Sequence, residues 1–170
     1  MRQPLLWFLG LVLPALLGER LCAQDNIEEK LKAAYLINIM SFVRWKDDKN
    51  EAVICLHQNS SVAPYVLSEN GRVLGNHTTL RTITAWDEWS QCDVFYWDES
   101  SSAPLPTAAL EAQQQSLLTV SDRKGALADG FAVQFYMRNL KLRFAMNNDV
   151  IQSADYRISS KLLRLSRQVD

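Results

Sequence analysis

Four short apolar runs constrain the fold of this chain more than anything else in it. They cover residues 52–56, 78–83, 94–97 and 116–120. Runs this short, rich in β-branched and aromatic residues, read as buried strands rather than helices. The segments between them read as short helices or turns. Residues 61–68 place Pro64 in a first helical turn, where proline is tolerated. Residues 86–91 are long enough for about one helical turn, and a helix is expected over 107–115, after a Ser/Pro loop at 98–106. Strands alternating with helices imply parallel βαβ units.

The two ends depart from that rhythm. Residues 25–45 read as a first helix, with Asp25 as its cap and Glu28 completing a capping-box pattern. Ile27, Leu31, Ala34, Tyr35 and Asn38 form one stripe, widened by Leu36, Ile37, Met40 and Val43. From 33 to 43 the helix is apolar nearly all round, so its own domain or a partner must bury it on several sides. That pattern is compatible with a homodimer. At the other end, residues 131–138 and 141–146 alternate in polarity around Asn139-Leu140, which reads as a hairpin. Asn147 can cap a short helix to Ala154, and Ser159 or Ser160 a last one through Leu165. The expected architecture is α/β: a mainly parallel, Rossmann-like sheet with a C-terminal antiparallel hairpin, flanked by short helices.

The first 23 residues stand apart. Arg2 precedes an apolar run over 5–17, and Glu19-Arg20 ends it. This is the form of a cleaved signal peptide, with cleavage expected after Ala23 and one domain over 24–170. The run is too short for a membrane span. Cleavage would remove Cys22 and leave Cys55 and Cys92. In an exported protein such a pair favours a disulfide, the alternative being two buried free thiols. The closed loop would be worth about 4 kcal/mol in the chain-entropy model.

Chemistry is sparse. The chain carries 18 basic and 19 acidic residues, a balance that gives no nucleic-acid footprint. There is no dinucleotide fingerprint, Walker loop or nucleophile elbow. Two histidines, His57 and His77, sit in polar surroundings with no cysteine or carboxylate at metal-ligand spacing. A catalytic triad, a metal site and a bound cofactor are therefore not expected. Two features remain as binding candidates. Ser121-Asp122 ends a predicted parallel strand, where open α/β sheets bind ligands, although a plain loop cap is the simpler explanation. Arg143, Arg157, Lys161 and Arg164 belong to a basic C-terminal stretch, which reads either as an anion or partner surface or as an ordinary solvated face.

Several motifs point to a family. Lys32-Ala33-Ala34-Tyr35-Leu36, followed by Phe42-Val43-Arg44-Trp45, resembles the opening of the YfiR family of periplasmic proteins. Cys92-Asp93-Val94, Leu118-Thr119-Val120-Ser121-Asp122, Arg143-Phe144 with Asn147, and the closing run from Ile158 to Leu165 follow its later pattern. The resemblance spans the whole chain after residue 23. It departs at Ala145-Met146, where the family is often more polar, and at Phe131-Ala132-Val133-Gln134. The resemblance implies a non-enzymatic periplasmic regulator that binds and inhibits the sensory domain of an inner-membrane diguanylate cyclase. Such a regulator lowers cyclic-di-GMP, and with it biofilm formation. An outer-membrane lipoprotein can sequester it, and members form homodimers. Cys55 and Cys92 match one family disulfide, but the further cysteines of some members are absent, so a two-bridge redox switch is not implied. Tyr35, Trp45 and Arg143 enter the candidate site through these motifs. The alternative reading is a periplasmic sensor holding a small anionic or aromatic ligand with Ser121-Asp122 and the basic C-terminal residues.

Overall fold

The computed structural model describes residues 18–46, 49–75, 77–84, 89–100 and 116–169. The apolar run at 5–17, the helix expected over 107–115, and parts of the expected turn (86–88) and loop (101–106) lie outside these residues.

The apolar runs are strands. In chain order the elements are α1 (Gly18–Met40), β1 (Val43–Arg44), β2 (Glu51–Leu56), α2 (Ala63–Leu67), β3 (Thr79–Ile83), a 3-10 turn (Trp89–Gln91), β4 (Val94–Trp97) and β5 (Leu118–Ser121). Then come β6 (Val133–Arg138), β7 (Lys141–Asn147), α3 (Asn148–Ser153), β8 (Arg157–Ile158), α4 (Ser160–Leu165) and β9 (Arg167–Val169). Among the described residues the main sheet has seven strands, in the order β3-β2-β4-β5-β6-β7-β9. β3, β2, β4, β5 and β6 are parallel, while β7 is antiparallel to β6 and parallel to β9. The α/β reading holds, and so does the hairpin. β9 had no signal in the sequence, because three residues carry too little periodicity to read.

The central strands are buried on both faces, which explains their unbroken apolar character. Ala52, Ile54 and Leu56 of β2 join Val94, Tyr96, Leu118 and Val120 in the larger core beneath α1. Val53, Cys55, Phe95 and Trp97 point to the opposite face, with Leu117, Ala126 and Phe131. Cys55 and Cys92 are bonded there, their Cα atoms 5.8 Å apart.

The first helix corrects the sequence reading at both ends and along its face. It ends at Met40 rather than at residue 45, because Ser41 and Phe42 turn back to the carbonyls of Asn38 and Ile39. Val43 and Arg44 then pair antiparallel with Ile158 and Arg157 in a separate two-stranded sheet. Toward the N-terminus it is already helical at Gly18, the first described residue, so Asp25 lies inside the helix and does not cap it. Its buried stripe is the expected one only in part: the widening residues Leu36, Ile37 and Met40 are buried, but most of the central stripe is not. Ala33, Leu36, Ile37, Ile39 and Met40 lie in the core, whereas Ile27, Leu31, Ala34 and Asn38 face outward. The domain itself therefore covers most of the apolar girdle. The two caps predicted near the C-terminus are in place: Asn147 Oδ1 accepts from Val150 N–H and Ser159 Oγ from Lys161 N–H.

Candidate functional site

The carboxyl edge of the sheet, where strand order reverses between β2 and β4, is the usual ligand crevice of such folds. Here side chains fill it. Asp98 follows β4 and is buried, accepting the Ser60 hydroxyl at 2.5 Å and the Ser61 amide at 3.0 Å. Ser121 is fully buried, donates to the Trp97 carbonyl and accepts from Arg123 N–H. Asp122 accepts Glu99 N–H at 2.8 Å and meets Lys32 Nζ at 2.7 Å. Both polar groups expected to hold a ligand are thus engaged in local structure.

Lys32 is the centre of that knot. It is 8% exposed, and its ammonium also reaches Glu28 at 2.9 Å and Glu29 at 3.2 Å. Burial pulls its proton affinity down, but hydrogen bonding and charge from Asp122, with Glu28 and Glu29, outweigh this and hold it above the ordinary lysine range. The opening motif is thereby tied to the strand-end Ser-Asp motif. The Tyr96 hydroxyl lies buried nearby, close enough to Asp122 for that carboxylate to act on it. Burial first, then the charges of Asp122, Asp98 and Glu29, keep its phenol protonated well beyond the usual range.

The opposite, amino edge is open. The β1–β8 pair and the residues leading into β2 and β3 line a groove of about 730 Å³. The sequence motifs meet there: Phe42, Arg44 and Trp45 from the opening, Arg157, Ser159 and Lys161 from the close. The β1–β8 register sets Arg44 directly opposite Arg157. Like charges facing across a strand pair repel. Arg157 turns one nitrogen to the Ala154 carbonyl at 3.0 Å, and Lys49 is satisfied by Asp93 at 2.6 Å. Among the described residues no carboxylate lines the groove, and neither Arg44 nor Lys161 has an ion pair. Trp45 is buried beneath it, edge-on to Tyr156 at 5.9 Å. The arrangement can hold an anionic group at the Arg44–Arg157 pair, with exposed Phe42 beside it.

The candidate residues therefore separate. Trp45, Arg157 and Lys161 come together at the amino edge. Ser121 and Asp122 lie at the carboxyl edge, so one ligand cannot contact both sets, and the sensor reading loses that pairing. Tyr35 packs edge-on against Phe135 and Phe144 between helix and hairpin. Arg143 lies on the hairpin and Arg164 on the exposed side of α4. Sequence reasoning missed Arg44 and Phe42 as site residues. Their place inside the opening motif was the available signal. Among the described residues no group of acidic, cysteine or histidine side chains could hold a metal ion, and no helix is long and apolar enough to cross a membrane.

A family model described as YfiR/HmsC-like matches residues 29–167. That span holds every element from the second half of α1 to the start of β9. No curated protein matches the chain.

Proposed function

The chain belongs to the YfiR/HmsC-like family, and from that premise we propose that it is an exported, non-enzymatic regulator. In this reading residues 1–23 are removed as a signal peptide and the protein acts in the periplasm. There it binds the sensory domain of an inner-membrane diguanylate cyclase and inhibits it, lowering cyclic-di-GMP. An outer-membrane lipoprotein is a candidate competitor, and a homodimer is the expected state. The observation that carries the binding role is the facing pair Arg44 and Arg157, with Lys161, in an open groove free of described carboxylates. Such a groove suits an acidic patch on the partner.

The test is charge reversal at the groove. Arg157→Glu sets a carboxylate opposite Arg44, exchanging a repulsive cross-strand pair for an attractive one. The variant should keep its melting temperature, lose co-purification with the cyclase and raise cyclic-di-GMP to the level of a deletion strain. Full repression by Arg157→Glu and Lys161→Glu together would remove the groove from the mechanism. A second reading, a sensor for a small anionic ligand, is favoured by the same open groove. A thermal-shift screen of carboxylates and phosphates supports it if one class raises the melting point by several degrees and Arg157→Glu abolishes the rise.

A further inference from the structure

The β6–β7 hairpin outruns the sheet. β5 pairs with β6 only at Val133 and Gln134, and β9 meets β7 only at Ala145, Met146 and Asn147. Over residues 135–144 no described strand pairs with either outer edge of the ribbon, so its far end stands out from the sheet.

The tip is built against local preference. Asn139 and Leu140 both have positive φ, 52° and 58°. A two-residue turn of this kind favours asparagine followed by glycine, because a side chain at the second position crowds its own backbone. Leu140 occupies it with 86% of its surface exposed. Glycine would suit both the turn and the solvent better, so folding does not account for this leucine. Met137 and Leu165 are also exposed, at 42% and 72%. Leu165 shares a shallow concavity of about 490 Å³ with Arg138, Lys141 and Arg143, and no carboxylate among the described residues lines it. Among the described residues none of these three cations has an ion pair.

An apolar tip ringed by cations narrows the choice of partner. A second copy would bring its own three cations against these. A folded acidic protein needs roughly 800 Å² of matching surface on each side, which a convex two-residue turn does not offer. A lipid headgroup layer accepts one apolar side chain at its acyl boundary and basic side chains at its phosphates. We propose that the hairpin tip docks on an anionic phospholipid surface, with Leu140 entering the headgroup layer and Arg138, Lys141 and Arg143 against lipid phosphates.

Vesicle sedimentation tests this, with phosphatidylglycerol–phosphatidylethanolamine vesicles against pure phosphatidylcholine. The protein should bind the first, release with rising salt, and leave the second alone. Each basic residue contributes about fivefold. Arg138→Glu with Lys141→Glu should therefore weaken partitioning by more than about 25-fold. Leu140→Gly should lower binding while raising the melting temperature, opposite directions that a folding defect cannot produce. Failure of the protein to bind anionic vesicles overturns the proposal, as does unchanged binding by both variants. Capture of a soluble acidic protein that these variants lose, without vesicle binding, would assign the tip to a protein partner and overturn it equally.

Discussion

Removing the Lys32 ammonium should uncouple α1 from the end of β5. The residue is nearly buried and its charge lies within 3.2 Å of three carboxylates. Lys32→Met keeps the stem and deletes the charge. Asp122, itself 9% exposed at its side chain, then remains as an unpaired anion beside Glu29, one of whose oxygens is already buried and unbonded. Breaking a buried pair from one side costs about 3–5 kcal/mol. Asp122→Asn should cost less, about 2 kcal/mol, because Lys32 retains Glu28 and Glu29 and the amide oxygen can still accept Glu99 N–H. The double variant should show about 2 kcal/mol of coupling in a cycle of urea unfolding curves. In a domain of this size, 3 kcal/mol lowers the melting temperature by about 6–12 °C. Coupling below about 0.5 kcal/mol, or a Lys32→Met variant as stable as the parent, would refute the view that the opening motif serves the fold through this knot.

Three further outcomes follow from other parts of the structure. Replacing Cys55 and Cys92 by serine, or reducing them, should cost about 4 kcal/mol in urea unfolding, since the bridge closes a separation of 37 residues; an unchanged midpoint would contradict this. Alkaline titration should unfold the protein cooperatively. Lys32, Tyr96 and Tyr156 all have raised proton affinities, Tyr156 through burial, so their contribution is complete below the ordinary lysine and tyrosine values of about 10 and is lost as the pH climbs past them. Of the five tyrosines, Tyr96 and Tyr156 should ionise only with unfolding, seen as a delayed step in tyrosinate absorbance. Asn147→Ala should cost about 1–2 kcal/mol in thermal unfolding, because it removes both the α3 cap and a bond to the Leu127 carbonyl; Ser159→Ala, which loses only a cap, should cost about 1 kcal/mol.

The sequence alone determined what local chemistry decides. Strand runs, the Asn139-Leu140 turn, the Asn147 and Ser159 caps, and the α/β class are all written in neighbouring residues, where steric preference and periodicity act. The cysteine pair was legible from the even count left once residues 1–23 are read as a leader, and the family from its motifs. The tertiary structure decided everything that depends on a distant partner. Val43 and Arg44 look helical beside Met40, yet they become a strand because β8, more than a hundred residues later, offers them hydrogen bonds. The outward stripe of α1 is set by which side the sheet occupies, which no local period reports. Ser121 and Asp122 looked available until Trp97, Glu99 and Lys32 came within bonding distance. Arg44 and Arg157 carried no joint signal, and only the antiparallel register makes them face each other across an open groove. Backbone preference acts over a few residues, whereas burial and charge act between whichever groups folding brings together, so the site was decided last.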